Sequence, residues 1–413
     1  MSKRAAIRCD VAIAGGGLVG LSLAAALAPL PLEVAVIEPV APDADRQPSF
    51  DARTTALSAG SRRVLEGIGV WAGIAGAATP IRCIHVSQRG SFGSARLTAE
   101  EQGVAALGYT IENRLLGRAL RERCAGIARL RQVAASARGV HPDAECLRVA
   151  TDGGGEISAR LLVAADGAQS AVRVALGIGA ESTDYGQHAL IAHIDTERFH
   201  EHRAYERFTP EGPLAVLPIG EGRSAVVWTL APPAAERALG LDDAAFLAEL
   251  QQAFGTRLGR ITRVGRRQSY PLALTRALRL TAPRAAILGN AAQGLHPVAG
   301  QGFNLGLRDV AALAELLAEE CMTQGAAADP GRAGLLERYA EWRQPDREAV
   351  IRFTDSLVRG FGLPLAPLRA LRGAGLLAFD LLRPVKHAFA RRTMGLAGRL
   401  PRLVRGLPLT GRA

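Results

Sequence analysis

The chain has 413 residues, 48% of them hydrophobic and 46 of them glycine, with a net charge of +11; this is length for two domains and the composition of an α/β enzyme. No run of eighteen apolar residues occurs, so no membrane-spanning helix is expected, and Met1–Asp10 leads straight into a strand without a signal peptide. Cys9, Cys83, Cys124, Cys146 and Cys321 lack CxxC spacing, and His200-Glu-His202 sits in a charged stretch, so neither a disulfide framework nor a metal site is expected and the setting reads as cytoplasmic.

The chain opens with an apolar strand that runs into Gly15-x-Gly17-x-x-Gly20. An alanine-rich helix (Leu21–Ala28) and a second strand ending in Glu38 follow. In a dinucleotide-binding turn Gly15 makes the tight turn and Gly17 lets the backbone approach the pyrophosphate. Gly20 lets helix and strand pack, and Glu38 accepts from the adenosine ribose. These residues alone do not separate FAD from NAD. After an acidic loop (Ala41–Phe50), the segment Asp51–Leu57, which contains Arg53, introduces a helix over Ser61–Ile68. Arg82–Leu97 alternates as one or two strands. Tyr109–Arg114 precedes a helix over Leu115–Ala125. Arg114 at that helix start is either a pyrophosphate ligand or a plain surface arginine. Ala128–Ala135, Cys146–Thr151 and Glu156–Val163 read as a β-meander. It ends in LLVAADGAQSAVR (Leu161–Arg173), a strand, an Asp166-Gly167 turn and a helix that Ser170 can cap.

From Gly186 to Leu230 alternation dominates: HALIAHID, RAYERFTP, GPLAVLPI and RSAVVWTL predict four antiparallel strands of a second, substrate-covering sheet. A helix (Asp242–Phe254) and a strand (Arg266–Leu272) close this insertion. The strand Arg284–Leu288 then enters GNAAQGLHPVAGQGFNLGLRD (Gly289–Asp309), ahead of an apolar-periodic helix over Val310–Glu320. A glycine-rich turn at a helix N-terminus is an anion site. The remainder, Gly331–Arg412, reads as helices broken by Pro and Gly.

From Ser356 to Ala413 eleven Lys and Arg accompany one acid, Asp380, so the tail carries nearly all of the +11. These charges are interleaved with Leu, Phe, Pro and Gly, which argues against nucleic acid. An anionic membrane surface, a lipid carrier or an acidic partner suits them, as does mere arginine bias. On the membrane reading the tail can be cut near Arg383 without loss of cofactor. The division implied is 1–178 with 271–345 for a discontinuous dinucleotide domain and 179–270 for the substrate sheet, with residues about 80–108 contributing to the substrate side. Residues 346–413 form the basic helical region.

The three motifs GxGxxG, DG and GNAAQ…HPVAGQGFN, in this order, resemble those of the flavoprotein aromatic hydroxylases of the para-hydroxybenzoate hydroxylase type. HVSQRG (His85–Gly90), ERFTPEGP (Glu206–Pro213), GNAAQ (Gly289–Gln293) and PDREA (Pro345–Ala349) leading to TDSL (Thr354–Leu357) tighten the resemblance. With them, residues 10–395 or so resemble the ubiquinone-biosynthesis hydroxylases, nearest the subgroup acting on 2-octaprenyl-6-methoxyphenol. Asn290 and Gln293 depart from the GDAAH of the broader family. Asn290 keeps a hydrogen-bonding side chain for neutral ribityl hydroxyls.

The resemblance implies an α/β fold: a Rossmann-like FAD-binding domain, an inserted antiparallel substrate sheet and a C-terminal helical region. It implies FAD, NADH or NADPH as electron donor, O2, and a flavin C4a-hydroperoxide that hydroxylates a polyprenyl phenol, with other ubiquinone-biosynthesis proteins as partners. Arg53 is expected near the flavin. Asp166, Gly167 and Asn290 are expected at the phosphate–ribityl region. Backbone N–H groups at Gly300, Gln301 and Gly302, with Asn304 beside them, are expected at the flavin edge, and Pro297 beside the reacting oxygen. Arg53, His296 and Pro297 are the implied catalytic group. For the proton of the phenol, Tyr205, His296 and Tyr270 remain open. Three other readings are another ring hydroxylase of the same pathway, a flavin-dependent reductase of isoprenoid double bonds and a non-enzymatic scaffold. The HPVAGQGFN segment argues against the reductase and the intact glycines against the scaffold.

Overall fold

Strands that are apolar on both faces dictate the first sheet. The computed structural model describes residues 7–40, 53–296, 300–362 and 366–411. Strand β1 (Ile7–Ala14) ends in the buried run Val11–Ala14. It pairs in parallel with β2 (Val34–Ile37) on one side and with the strand Glu156–Ala164 on the other. Leu130–Val133 extends the parallel run beyond β2 and Ala285–Ile287 extends it beyond Glu156–Ala164, in a sheet of eight described strands. Helix α1 (Leu18–Leu27) joins β1 to β2 and packs on the long helix Gln301–Gln324. The chain leaves β1 toward one neighbour and returns on the other side. A crevice therefore opens at the carboxyl ends of these strands.

The meander differs from its sequence reading. Ala137–Pro142, Leu147–Thr151 and Glu156–Ala164 form the antiparallel set, but Leu130–Val133 is a parallel strand on β2. Alternation reports burial and does not name a partner. Thr54–Ser58 is a strand, β3, where the sequence suggested only a lead into a helix. It pairs with Gly108–Glu112, and helix α2 (Ala59–Gly67) follows. Asp51 lies outside the described residues.

The second sheet has nine described strands. Ala180–Thr196 runs through it, pairing with Gln268–Ala277, Ser224–Leu230 and Ile261–Val264. Cys83–Gln88 joins in parallel with Arg203–Phe208 and carries Ser94–Thr98 beyond it. Helices Pro232–Gly240 and Asp243–Phe254 cover one face over a core that includes Tyr205, Trp228, Phe246 and Phe254. The other face is the floor of a cavity.

Helix Gln301–Gln324 starts well before Val310. Its first turns bury Asn304, Arg308 and Asp309, which an apolar period cannot register. Three further helices follow: Ala333–Gly362, Ala366–Leu381 and Arg383–Thr393. The expectation of helix up to Arg412 is corrected here, because residues 394–411 are turns without helix. They are also part of the core. Leu403, Val404 and Leu409 are buried with the first sheet, Gly60 N donates to the Met394 carbonyl at 2.9 Å, and Trp342 Nε1 donates to the Arg399 carbonyl at 3.0 Å. A cut near Arg383 would remove this packing, so the tail is not the dispensable unit the sequence suggested. Nor is its charge all on the surface. Lys386 is buried against Glu101 and Asp380.

Leu403→Ala tests this. Burial at 1% exposure predicts a loss of about 2–4 kcal/mol, read by denaturant unfolding of the full chain.

Candidate active site

The glycine turn after β1 is a cradle that side chains would fill. Gly15 has φ +105°, and a Cβ there would strike the Ala165 carbonyl. A Cβ on Gly20 would strike the Gly15 carbonyl. Gly17 is the N-cap of α1, with no side chain capping the helix. The N-terminal N–H groups of α1 therefore face the crevice, an arrangement that fits a pyrophosphate. Glu38 closes the turn: its carboxylate accepts from Gly16 N at 2.7 Å and from Val40 N at 3.1 Å.

The Asp166-Gly167 turn lies against this cradle. Asp166 accepts from the Ser170 hydroxyl and from Val172 N, so it braces the short helix Ala171–Ala175. Gly167 has φ +89° and open space above it. Arg173 was quoted in the motif without a role. It is buried and donates to the carbonyls of Ala168 and Ala291 at 3.1 and 2.8 Å, tying the second motif to the third.

In the third motif Asn290 is exposed on the cavity wall, and no described hydrogen bond holds its side chain. Gln293 points the other way. Its amide donates to Asp309 at 2.8 Å, and Asp309 also accepts from Arg343 Nε at 2.7 Å. Arg343 and Arg308 both pair with Asp346, at 2.8 and 3.3 Å. Burial alone would raise the Asp346 carboxyl, but Arg308 and Arg343 outweigh it and hold it below its ordinary range. Arg347 donates to the carbonyls of Ala277 and Ala292 at 2.6 and 3.0 Å. The PDREA segment is thus a buried ionic brace for the GNAAQ turn.

Gly300, at φ +60°, caps helix Gln301–Gln324, and no side chain caps it. Gln301 and Gly302 present the first turn to the cavity. Asn304 is consumed by the protein. It accepts from Ser58 N and Ser61 Oγ at 2.8 and 2.7 Å and donates to the carbonyls of Ala56 and Gly300 at 2.8 and 2.6 Å. It clamps β3 and α2 to the helix start.

One cavity of about 1020 Å³ runs along the second and third motifs. Arg173, Asn290 and Gly300–Asn304 line one part of it, and apolar residues of the second sheet, such as Val86, Leu97 and Phe208, line another. Leu376, Phe379, Phe389 and Met394 of the C-terminal region also line the wall. Sequence reasoning gave those four no role. Their signal was apolar spacing in a segment read for its charge.

The remaining candidates scatter. The Arg53 guanidinium lies 5.0 Å from the Tyr270 ring centroid. Arg114 is 60% exposed and paired with Glu112 at 2.6 Å, as a surface arginine would be. His296 is buried, 5.4 Å from the Tyr185 ring, and burial lowers its pKa to about 4, so it is neutral at pH 7. Tyr270 donates to Gln268 at 3.3 Å, and Tyr205 packs its ring on Phe254. Pro297 lies outside the described residues.

The fold is similar to that of p-nitrophenol 4-monooxygenase PnpA from Pseudomonas putida DLL-E4. The TM-score is 0.77 at 18% identity, covering 95% of this chain and 99% of that one. The FAD binding domain family matches residues 8–354. Over 405 residues the chain is 40% identical to ubiquinone hydroxylase UbiL of Rhodospirillum rubrum, covering 97% of this chain and 93% of the relative. The chain belongs to the FAD-dependent hydroxylases of ubiquinone biosynthesis. Another relative of this hydroxylase, 3-demethoxyubiquinol 3-hydroxylase of Escherichia coli, is 33% identical over 397 residues, 94% of this chain and 98% of that one.

For this hydroxylase, Gly17→Glu should give folded but colourless protein, because a carboxylate would enter the glycine cradle at the N-terminus of α1, an arrangement that fits a pyrophosphate; circular dichroism and flavin absorbance check it. Asn290→Asp should keep FAD and lose at most about tenfold in turnover, roughly 1.4 kcal/mol. Among the described residues Asn290 has no hydrogen-bond partner to lose, and steady-state rates with flavin content measure the effect.

Proposed function

We propose that this chain hydroxylates the ring of a 2-polyprenyl-6-methoxyphenol with FAD, NADH or NADPH, and O2. The observation that carries this reading is a cavity bordered both by the uncapped helix start at Gly300–Asn304, with Asn290 beside it, and by an apolar sheet floor. Its volume, at the upper end of the usual range of about 300–1000 Å³, suits a flavin ring with a bulky apolar substrate beside it.

In this reading Gly15, Gly17 and Gly20, with the N-terminus of α1, hold the pyrophosphate and Glu38 the ribose. Asp166, Gly167 and Asn290 border the phosphate–ribityl chain, and Arg53 borders the ring. The N–H groups at Gly300–Gly302, at the positive end of a long helix, favour negative charge on the ring edge. Bound FAD, reduced by NAD(P)H, supplies with O2 the oxygen atom placed on the substrate. The apolar walls exclude water from that chemistry. A second reading, hydroxylation at another ring position in the same pathway, is favoured by the 33% identity to 3-demethoxyubiquinol 3-hydroxylase.

The test is NAD(P)H-dependent O2 uptake by the yellow protein with 2-prenyl-6-methoxyphenol, with mass spectrometry of the product. A product one oxygen heavier supports a hydroxylase, and its ring position separates the two readings. A product two hydrogens heavier, without O2 uptake, makes the protein a reductase. No NAD(P)H consumption makes it a scaffold.

No described helix is long and apolar enough to cross a membrane. The corner between Ala366–Leu381 and Arg383–Thr393 nevertheless exposes Leu377, Leu381, Leu382 and Val385, next to exposed Arg383. The same two helices line the cavity with Leu376, Phe379 and Phe389. We propose that this corner meets an anionic membrane surface and passes the polyprenyl chain. Leu381→Ser with Leu382→Ser should weaken flotation with anionic liposomes and lower turnover of a long-chain phenol more than of a one-isoprene analogue. Unchanged flotation would rule the corner out.

A further inference from the structure

Strand Arg203–Phe208 splits its side chains between two faces. Tyr205 packs on Phe254, ring centroids 5.3 Å apart, and Arg207 donates to the Ala253 carbonyl at 3.0 Å, both on the helix-covered side. Ala204, Glu206 and Phe208 alternate with them and line the cavity. Register sets Val86 and Ala215 on either side of Glu206. Among the described lining residues Glu206 is the one carboxylic acid. Arg173, held by two carbonyls at the dinucleotide end, is the one cation.

Among the described residues nothing answers this acid. Glu206 Oε1 is buried without a hydrogen-bond partner. The strands beside it bring Ile84, Val86, Ala95, Leu97, Ala215 and Leu217 to its face, and none of these titrates. The C-terminal helices add Leu376, Phe379 and Phe389 to the cavity wall, which do not titrate either. An unpaired acid in an apolar wall is unfavourable for folding, and an acid of this kind in a cavity marks a ligand that donates to it. The three groups left open for the proton of the phenol serve less well. Tyr205 borders the cavity but packs its ring on Phe254 in the helix-covered core, the Tyr270 hydroxyl is spent on Gln268, and His296 packs against Tyr185.

We infer that Glu206 receives the phenol hydroxyl of the substrate and acts as its general base, an inference that rests on the phenol-hydroxylase reading above. In the bound state Glu206 accepts a hydrogen bond from the phenol O–H. As the ring carbon takes the electrophilic oxygen derived from O2, the O–H bond breaks and its proton passes to the Glu206 carboxylate. The released electron pair moves into the ring, and the O–O bond breaks as the new C–O bond forms; the second oxygen leaves as water, the two electrons coming from NAD(P)H. When that carbon loses its hydrogen as a proton to solvent, the ring regains aromaticity and Glu206 returns its proton to the phenolic oxygen. Burial holds the Glu206 carboxyl up at about 7. That value makes it a stronger base than an ordinary glutamate, while a phenol near 10 keeps its proton until the ring is attacked.

The test uses the FAD-loaded full chain with 2-prenyl-6-methoxyphenol, NAD(P)H and O2. Glu206→Gln keeps size and a hydrogen-bond acceptor but removes the base. The variant should bind the phenol within about threefold of wild type by flavin difference spectroscopy. Its kcat should fall about 100-fold, and the rise of kcat/KM with pH near 7 should vanish. Glu206→Leu should lose phenol binding as well.

Melting gives a readout independent of turnover. A carboxyl raised from 4.5 to about 7 by burial contributes stability below 4.5 and loses it as pH rises through 7. Glu206→Gln should therefore melt above wild type at pH 8 and level with it at pH 5. Wild-type kcat/KM with an unchanged pH profile in Glu206→Gln, or equal melting at both pH values, overturns the role of Glu206 alone. A wild-type protein that neither binds nor oxidises the phenol overturns the hydroxylase reading and this inference together.

Discussion

The brace formed by Gln293, Asp309, Arg343, Asp346 and Arg308 is the constraint on which the site depends. Five polar side chains from the GNAAQ turn and two long helices meet where water is scarce, and Arg343 is 2% exposed there. Removing one partner from a buried pair is destabilising by about 3–5 kcal/mol, because the other charge is stranded. The brace therefore permits one arrangement of the turn against the helix. That arrangement holds Asn290 at the cavity wall and the uncapped start of Gln301–Gln324 beside it. Asn304 makes the complementary clamp on the other side, tying the helix start to β3 and α2. The parts that face the cavity are accordingly not the parts that carry the load.

This division explains what was legible in the sequence. The GxGxxG turn was readable because its reason is local: Gly15 and Gly20 sit where any Cβ meets a carbonyl. The alternating strands after Gly186 were readable because one face is buried under helices. Gln293 and Asn304 stood out as motif residues, but their roles depend on partners 16 and 246 residues away, which no local pattern can name. Glu206 was quoted only as part of ERFTPEGP. Its signal was present all the same, as a lone acid on the alternate face shared with Ala204 and Phe208. Tyr205, one position along, is the more conspicuous residue type, but in a strand one position is the opposite face. The tail was read from its charge, while its structure follows from its leucines.

The two sheets also separate two kinds of demand. The parallel sheet is buried on both faces and supplies a rigid edge from which glycine turns emerge. The antiparallel sheet is buried under helices on one face and left apolar on the other, so it can offer a floor without building a pocket of its own. The C-terminal helices complete the enclosure from outside both sheets. Binding and enclosure are thus assigned to separate stretches of the chain, which meet only at the cavity.

The return of residues 394–411 to the core ties the order of synthesis to function. Leu403, Val404 and Leu409 share a core with strands that are made far earlier. Until residues 394–411 have left the ribosome, the first sheet is complete in strands but lacks part of its core. An emerging chain therefore holds its glycine cradle in an unfinished domain until that late segment is free to pack. A chain ending a few tens of residues early would be poor at folding and at holding its cofactor alike, although every motif that marks the family lies upstream of the break.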